Sequence, residues 1–122
     1  MSKILRIALS VVMLGTAMNA QAAIYTVNST ADISDGSCDG ANCTLREAIT
    51  AALDGDQILF SSLFNTPQTI SLQTVLPDIG SSISIQGSDA SRLTVRRDPA
   101  AVTNFRVFNL RKTTQPPPRI SR

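Results

Sequence analysis

The 122-residue sequence contains no histidine and no tryptophan, and it has one tyrosine, four phenylalanines and two cysteines. Without histidine there is no Ser-His-Asp or Cys-His catalysis, no imidazole zinc site and no side chain that ordinarily titrates near neutral pH. Any reaction would have to run on carboxylates, arginines or hydroxyls. With 4% aromatic residues, the chain also lacks the stacking surfaces on which single-stranded nucleic acid is held. A long apolar run is missing too, since residues 7–17 make up about half of the roughly 20 residues that cross a bilayer. At this length one domain is the most the chain can form.

That short apolar run has another use. It follows the basic start Ser2-Lys3-Ile4-Leu5-Arg6 and precedes Ala20-Gln21-Ala22, which places small residues at both A-x-A positions. Residues 1–22 therefore read as a secretory signal peptide cut after Ala22, and the protein is expected to be secreted to the periplasm, the outer surface or the medium. Loss of Lys3 and Arg6 lowers the formal net charge from +2 to 0. The remaining charge is polarised. Residues 23–90 hold Arg46 against eight acidic residues, and residues 91–122 hold eight basic residues against Asp98. Such a split can mark contact with nucleic acid or an anionic surface. The basic residues are not interleaved with aromatics, so a solvated face is expected and no nucleic-acid partner. The two cysteines agree with export. Cys38 and Cys43 lie five apart, and an oxidising compartment lets them pair as a structural disulfide. Redox or zinc chemistry of the Cys-x-x-Cys kind fails on spacing and on absent partner ligands.

Residues 24–27 read as a short strand, and residues 28–42 as a polar loop rich in Asp and Gly. Thr44-Leu45-Arg46-Glu47 is a capping box: the Thr44 hydroxyl accepts from the Glu47 N–H, and the Glu47 carboxylate reaches back to the Thr44 N–H. Leu45, Ala48, Ile49, Ala52 and Leu53 follow at the spacing of a one-faced helix, with Asp54-Gly55-Asp56 as the stop. A helix of about ten residues is marginal alone, so its stripe must lie on something apolar. Beyond Gly55 the period changes to short β-type runs at residues 57–60, 69–72, 82–85, 92–95 and 106–110, which start 10 to 14 residues apart with turn residues between them. A sandwich or barrel built from so few strands would leave open edges, whereas solenoid coils need only stack on their neighbours.

The heptad Cys43-Thr44-Leu45-Arg46-Glu47-Ala48-Ile49, preceded by Tyr25-Thr26-Val27-Asn28-Ser29-Thr30-Ala31-Asp32 and a first cysteine in a Gly/Asp loop, resembles the CSLREA-type amino-terminal region of secreted bacterial β-helix proteins. Asp56-Gln57-Ile58, Ser84-Ile85-Gln86-Gly87 and Arg106-Val107-Phe108 also sit where that family places its first coils. Thr44 stands where the family has Ser and keeps the capping hydroxyl. The resemblance covers residues 24–110. It implies a mostly β fold, the start of a right-handed parallel β-helix (pectin-lyase-like solenoid) with one amphipathic amino-terminal capping helix. Residues 23–110 would be the cap and first coils, with the helix stripe covering the end of the core. The implied function is non-enzymatic, adhesion or carbohydrate contact by a secreted or surface protein, with surface carbohydrate or protein as partner and self-association through an open coil end. The alternative is a fragment of a polysaccharide lyase or hydrolase of the same fold class, with its catalytic coils elsewhere, because fold does not fix function. Residues 111–122, basic and with Pro116-Pro117-Pro118, carry no apolar period and read as a disordered tail, the mark of a shortened reading frame.

Three further groups invite chemistry. Asp32, Asp35 and Asp39 crowd one loop and supply the oxygen ligands that calcium prefers, but they lack the EF-hand and RTX spacings, and turn chemistry accounts for them. Asp54 and Asp56 could serve as a glycosidase carboxylate pair, yet helix-stop chemistry accounts for them with less. Arg96 and Arg97 are adjacent in a strand and so point to opposite faces, which argues against an anion clamp. No cofactor or metal is implied.

Overall fold

A computed structural model describes Gly15 and residues 21–111. Nearly all of the expected leader and the tail beyond Arg111 lie outside the described residues. The protein is mostly strand with little helix. The elements are β1 (Ile24–Val27), α1 (Leu45–Ala51), β2 (Gln57–Phe60), a 3₁₀ turn (Ser62–Asn65), β3 (Gln68–Leu72), β4 (Ser84–Ile85) and β5 (Leu93–Arg97).

The strands form two parallel sheets. One has the order β1-β2-β4 and the other pairs β3 with β5. A single parallel bridge, Ile79 with Leu110, stands apart from both. Partners lie 25 to 33 residues apart: Ile24 pairs with Gln57, Gln57 with Ser84, Gln68 with Leu93, and Ile79 with Leu110. Parallel pairing over such separations requires a long return path between partner strands. Between β1 and β2 that path is the long loop and α1, and between β2 and β4 it includes β3; Ile58 pairs with Tyr25, and Ile70 with Val95.

One apolar cluster runs through these tracks. Val27, Ile58, Phe64, Ile70, Leu72 and Leu76 are fully or almost fully buried together with Leu45, Ala48 and Ile49 of α1. The alternation of β3 explains its share: Ile70 and Leu72 point inward, and Thr69 faces solvent. The 3₁₀ turn has no period of its own to announce it. The Ser61 hydroxyl accepts from the Leu63 N–H, and the tight turn delivers Phe64 edge-on to Phe60 at 5.0 Å between ring centroids.

Two expected strands are shorter in the structure. Residues 82–85 pair only at Ser84–Ile85, because the Ser82 N–H is taken by the Asp54 carboxylate and the ladder opens at Ser84. Residues 106–110 contribute the single bridge at Leu110. There the Ile79 N–H donates to the Asn109 carbonyl and the Arg111 N–H to that of Ile79. The next donor along the ladder would be residue 77, a proline without an N–H, so pairing stops.

Ile58 lies at the centre of the β1-β2-β4 sheet with no exposure. Ile58→Ala is expected to lower stability by about 2–5 kcal/mol, the range for deleting a fully buried aliphatic side chain. Urea denaturation measures it, and a loss well under 1 kcal/mol would contradict this packing.

Candidate functional site

The heptad around Cys43 is where polar chemistry concentrates, and each of its residues has an identifiable contact or buried position. Cys43 is fully buried and disulfide-bonded to Cys38. Its N–H donates to the Asn28 Oδ1 at 2.7 Å, and its carbonyl accepts from the Asn28 N–H at 3.0 Å. The Asn28 side-chain nitrogen in turn donates to the carbonyls of Asp39 and Gly40. One asparagine therefore closes both ends of the disulfide loop against the end of β1.

Thr44 and Glu47 form the expected capping box. The Glu47 N–H donates to the Thr44 hydroxyl, and the Thr44 N–H donates to the Glu47 Oε2 at 2.8 Å. The second Glu47 oxygen accepts from the Asp35 N–H at 2.7 Å, so this buried carboxylate fastens the long loop as well as the helix start. Leu45, Ala48, Ile49 and Ala52 are buried as the apolar stripe requires. Leu53 is not: it is 69% exposed. The helix ends at Ala51, Ala52 is already extended, and the stripe is one residue shorter than its spacing suggests. Two side chains end it. The Tyr25 hydroxyl donates to the Ala51 carbonyl, and the Leu53 N–H donates to the Asp56 Oδ2, which draws the chain out of the helical path before Gly55 turns it at φ +88°.

Arg46, whose partners no spacing announces, reaches furthest. Its guanidinium meets Asp32 through Nε at 2.9 Å and an NH2 nitrogen at 2.8–3.1 Å, and it donates to the carbonyls of Thr74 and Val75. Asp32 also accepts from the Gln73 N–H at 2.7 Å. With side chains 17% and 5% exposed, this pair ties the helix and the first loop to the segment that follows β3.

Asp32 is thus drawn away from the other two loop aspartates, which share Ser37 and Asn42 as hydrogen-bond partners. Asp32 turns to Arg46, whereas Asp35 and Asp39 hold local turns. No cluster of three His, Cys, Asp or Glu side chains placed to hold a metal occurs among the described residues. The Ser37 N–H, followed by the Asn42 side-chain amide, holds the Asp35 carboxyl below its ordinary value of 3.8. The Asn42 and Ala41 N–H groups do the same for Asp39. Asp54 and Asp56 do not face each other across a groove as an acid and base would. Asp54 accepts from the Ser82 N–H, and Asp56, 6% exposed, accepts from the N–H groups of Ala23 and Leu53, each at 2.8 Å. Arg96 and Arg97 diverge as their strand positions require. Arg96 faces outward, while Arg97 donates to the carbonyls of Ala101 and Thr103 and lies over the Phe105 ring.

A groove of about 460 Å³ runs between α1 and residues 77–83, floored by Ile49, Ile79 and Ile83 and rimmed by the exposed Asp78–Arg111 pair. Thr50 and Ser81 place hydroxyls on its lining, and the Thr50 hydroxyl donates to the Arg46 carbonyl. The chemistry of this end of the molecule is fastening: carboxylates and amides that close backbone groups over an apolar stripe. No protein family, curated protein or solved structure matches the chain.

Two measurements check this geometry. Arg46→Ala leaves the buried Asp32 carboxylate without its cation and is expected to cost about 3–5 kcal/mol in chemical denaturation; a loss under about 1 kcal/mol would contradict the role. The carboxyls of Asp35 and Asp39 titrate below their unfolded value, so their contribution to stability is complete above about pH 3.8 and is lost as pH falls through the lower folded values. Amide NMR of Ser37, Ala41 and Asn42 should give midpoints below 3.8; midpoints at or above it would contradict these hydrogen bonds.

Proposed function

We propose that residues 23–110 are the amino-terminal cap and first coils of a secreted, right-handed parallel β-helix protein of the CSLREA type, whose work is non-catalytic adhesion or carbohydrate contact. The observation that carries the reading is the register. Three separate tracks, β1-β2-β4, β3-β5 and Ile79-Leu110, each gain a parallel partner once in 25 to 33 residues, the pattern of coils stacked along an axis. The right hand follows the general preference of parallel crossovers.

The cap role rests on the position of α1. Its stripe lies in the same apolar cluster as Val27, and it packs on β1, the strand at one edge of its sheet. An uncovered core end would expose apolar side chains and unpaired backbone to water. At the other end, Phe108 is half-exposed and Leu110 is 78% exposed, which supports an open face that a further layer would cover. Export is supported by the leader pattern in residues 1–22 and by the disulfide. The non-catalytic reading is supported by where the carboxylates are spent: Asp32, Glu47, Asp54 and Asp56 all accept backbone N–H groups within the fold.

Co-sedimentation of the exported protein with cell-surface polysaccharide, together with viscometry of a polyuronate solution, tests the function. Binding with unchanged viscosity is expected; falling viscosity would replace the reading with a polysaccharide-cleaving one. Ile49→Asp tests the cap, because it places an unpartnered carboxylate in the stripe. The exported variant should be degraded by added protease under conditions that leave the parent intact, and a resistant variant would contradict the capping role.

A further inference from the structure

Asp56 is a buried carboxylate with two backbone N–H donors, and none of the ion pairs among the described residues involves it. One of those donors is Ala23, the residue immediately after the expected leader cut. We propose that Asp56 is the receptor for the amino terminus that leader removal creates, so that maturation itself installs the ion pair that locks the cap helix to the first strand. The inference rests on the reading of residues 1–22 as a leader.

The step is a hydrolysis. Water adds across the Ala22–Ala23 peptide bond under the export peptidase, Ala22 leaves as a carboxylate, and the Ala23 nitrogen becomes an α-ammonium. Gln21 and Ala22 are exposed, whereas Ala23 is half-buried and its nitrogen is already 2.8 Å from the Asp56 Oδ1. No rearrangement is needed to bring the new charge to its partner. Before the cut the nitrogen offers one neutral N–H; afterwards it offers a unit charge and three donors to a carboxylate shielded from water, where charge-assisted bonds are strongest. The other Asp56 oxygen holds the Leu53 N–H at the helix exit, so the charge formed at β1 is transmitted to the end of α1. The Tyr25 hydroxyl on the Ala51 carbonyl joins β1 to the end of α1, two residues from Ala23 on the one segment and two from Leu53 on the other.

The test uses chains with defined starts, so it is independent of the β-helix reading. The chain beginning at Ala23 should have an unfolding equilibrium constant about tenfold smaller than the chain beginning at Ala22, which keeps the hydrogen bond but moves the charge one residue away. In an Asp56→Asn background that difference should vanish. Equal stability of the two starts, or a difference that survives Asp56→Asn, would overturn the proposal. Should Asp56→Asn fail to fold, Nα-acetylation of the chain beginning at Ala23 serves instead: it must bring the same tenfold loss, and no loss overturns the proposal. Mass spectrometry of the exported protein tests the leader separately, and a start other than Ala23 also overturns the proposal.

Discussion

A helix of seven residues does not persist in water, because the cost of its first turn is spread over too few propagating bonds. What holds α1 is a set of buried carboxylates at its two ends. Glu47 closes the amino-terminal turn and draws in the Asp35 N–H, while Asp56 holds the exit at Leu53 and the entry to β1 at Ala23. Glu47 joins the helix start to the first loop, and Asp56 joins the helix exit to the start of β1, each by accepting two backbone N–H groups. The stripe Leu45, Ala48, Ile49 and Ala52 supplies the burial, and the carboxylates fix where it falls.

The same economy runs through the long first loop. Asn28, Asp32, Asp35 and Asp39 place it by side-chain to backbone bonds, with the Cys38–Cys43 disulfide as one fastening among several. A disulfide across so short a loop contributes on the order of 2 kcal/mol, comparable to two or three of the hydrogen bonds beside it. Arg46 carries the connection furthest, since its contacts reach the segment that follows β3.

Local signals made part of this legible from the residues alone. The capping box needs only four consecutive positions and the disulfide only two cysteines, and both are where the sequence places them. The run 69–72 became strand because its alternation is a local property, and 57–60 because its apolar composition is. What was hidden depends on distance. The partner of Arg46 lies 14 residues upstream, and the carbonyls it binds lie 28 and 29 residues downstream. Asp56 reads as helix-stop chemistry because a stop can be recognised without knowing that Ala23 will arrive beside it. Leu53 fits the helical spacing, yet the Asp56 bond to its own N–H unwinds the chain there and turns it to solvent. The run at 106–110 has strand composition, but its partner segment contains Pro77, and pairing requires donors on both sides.

The central claim is that α1 and the first parallel rung form one cooperative unit joined by these carboxylates. Native-state hydrogen exchange tests it directly, by comparing the amides of Ala48 and Ala52 in the helix with those of Gln57 and Ser61 in the rung. The account predicts that all four exchange through the same opening, with one free energy and one dependence on denaturant. Helix amides that exchange through a separate opening several kcal/mol below that of the rung would contradict it.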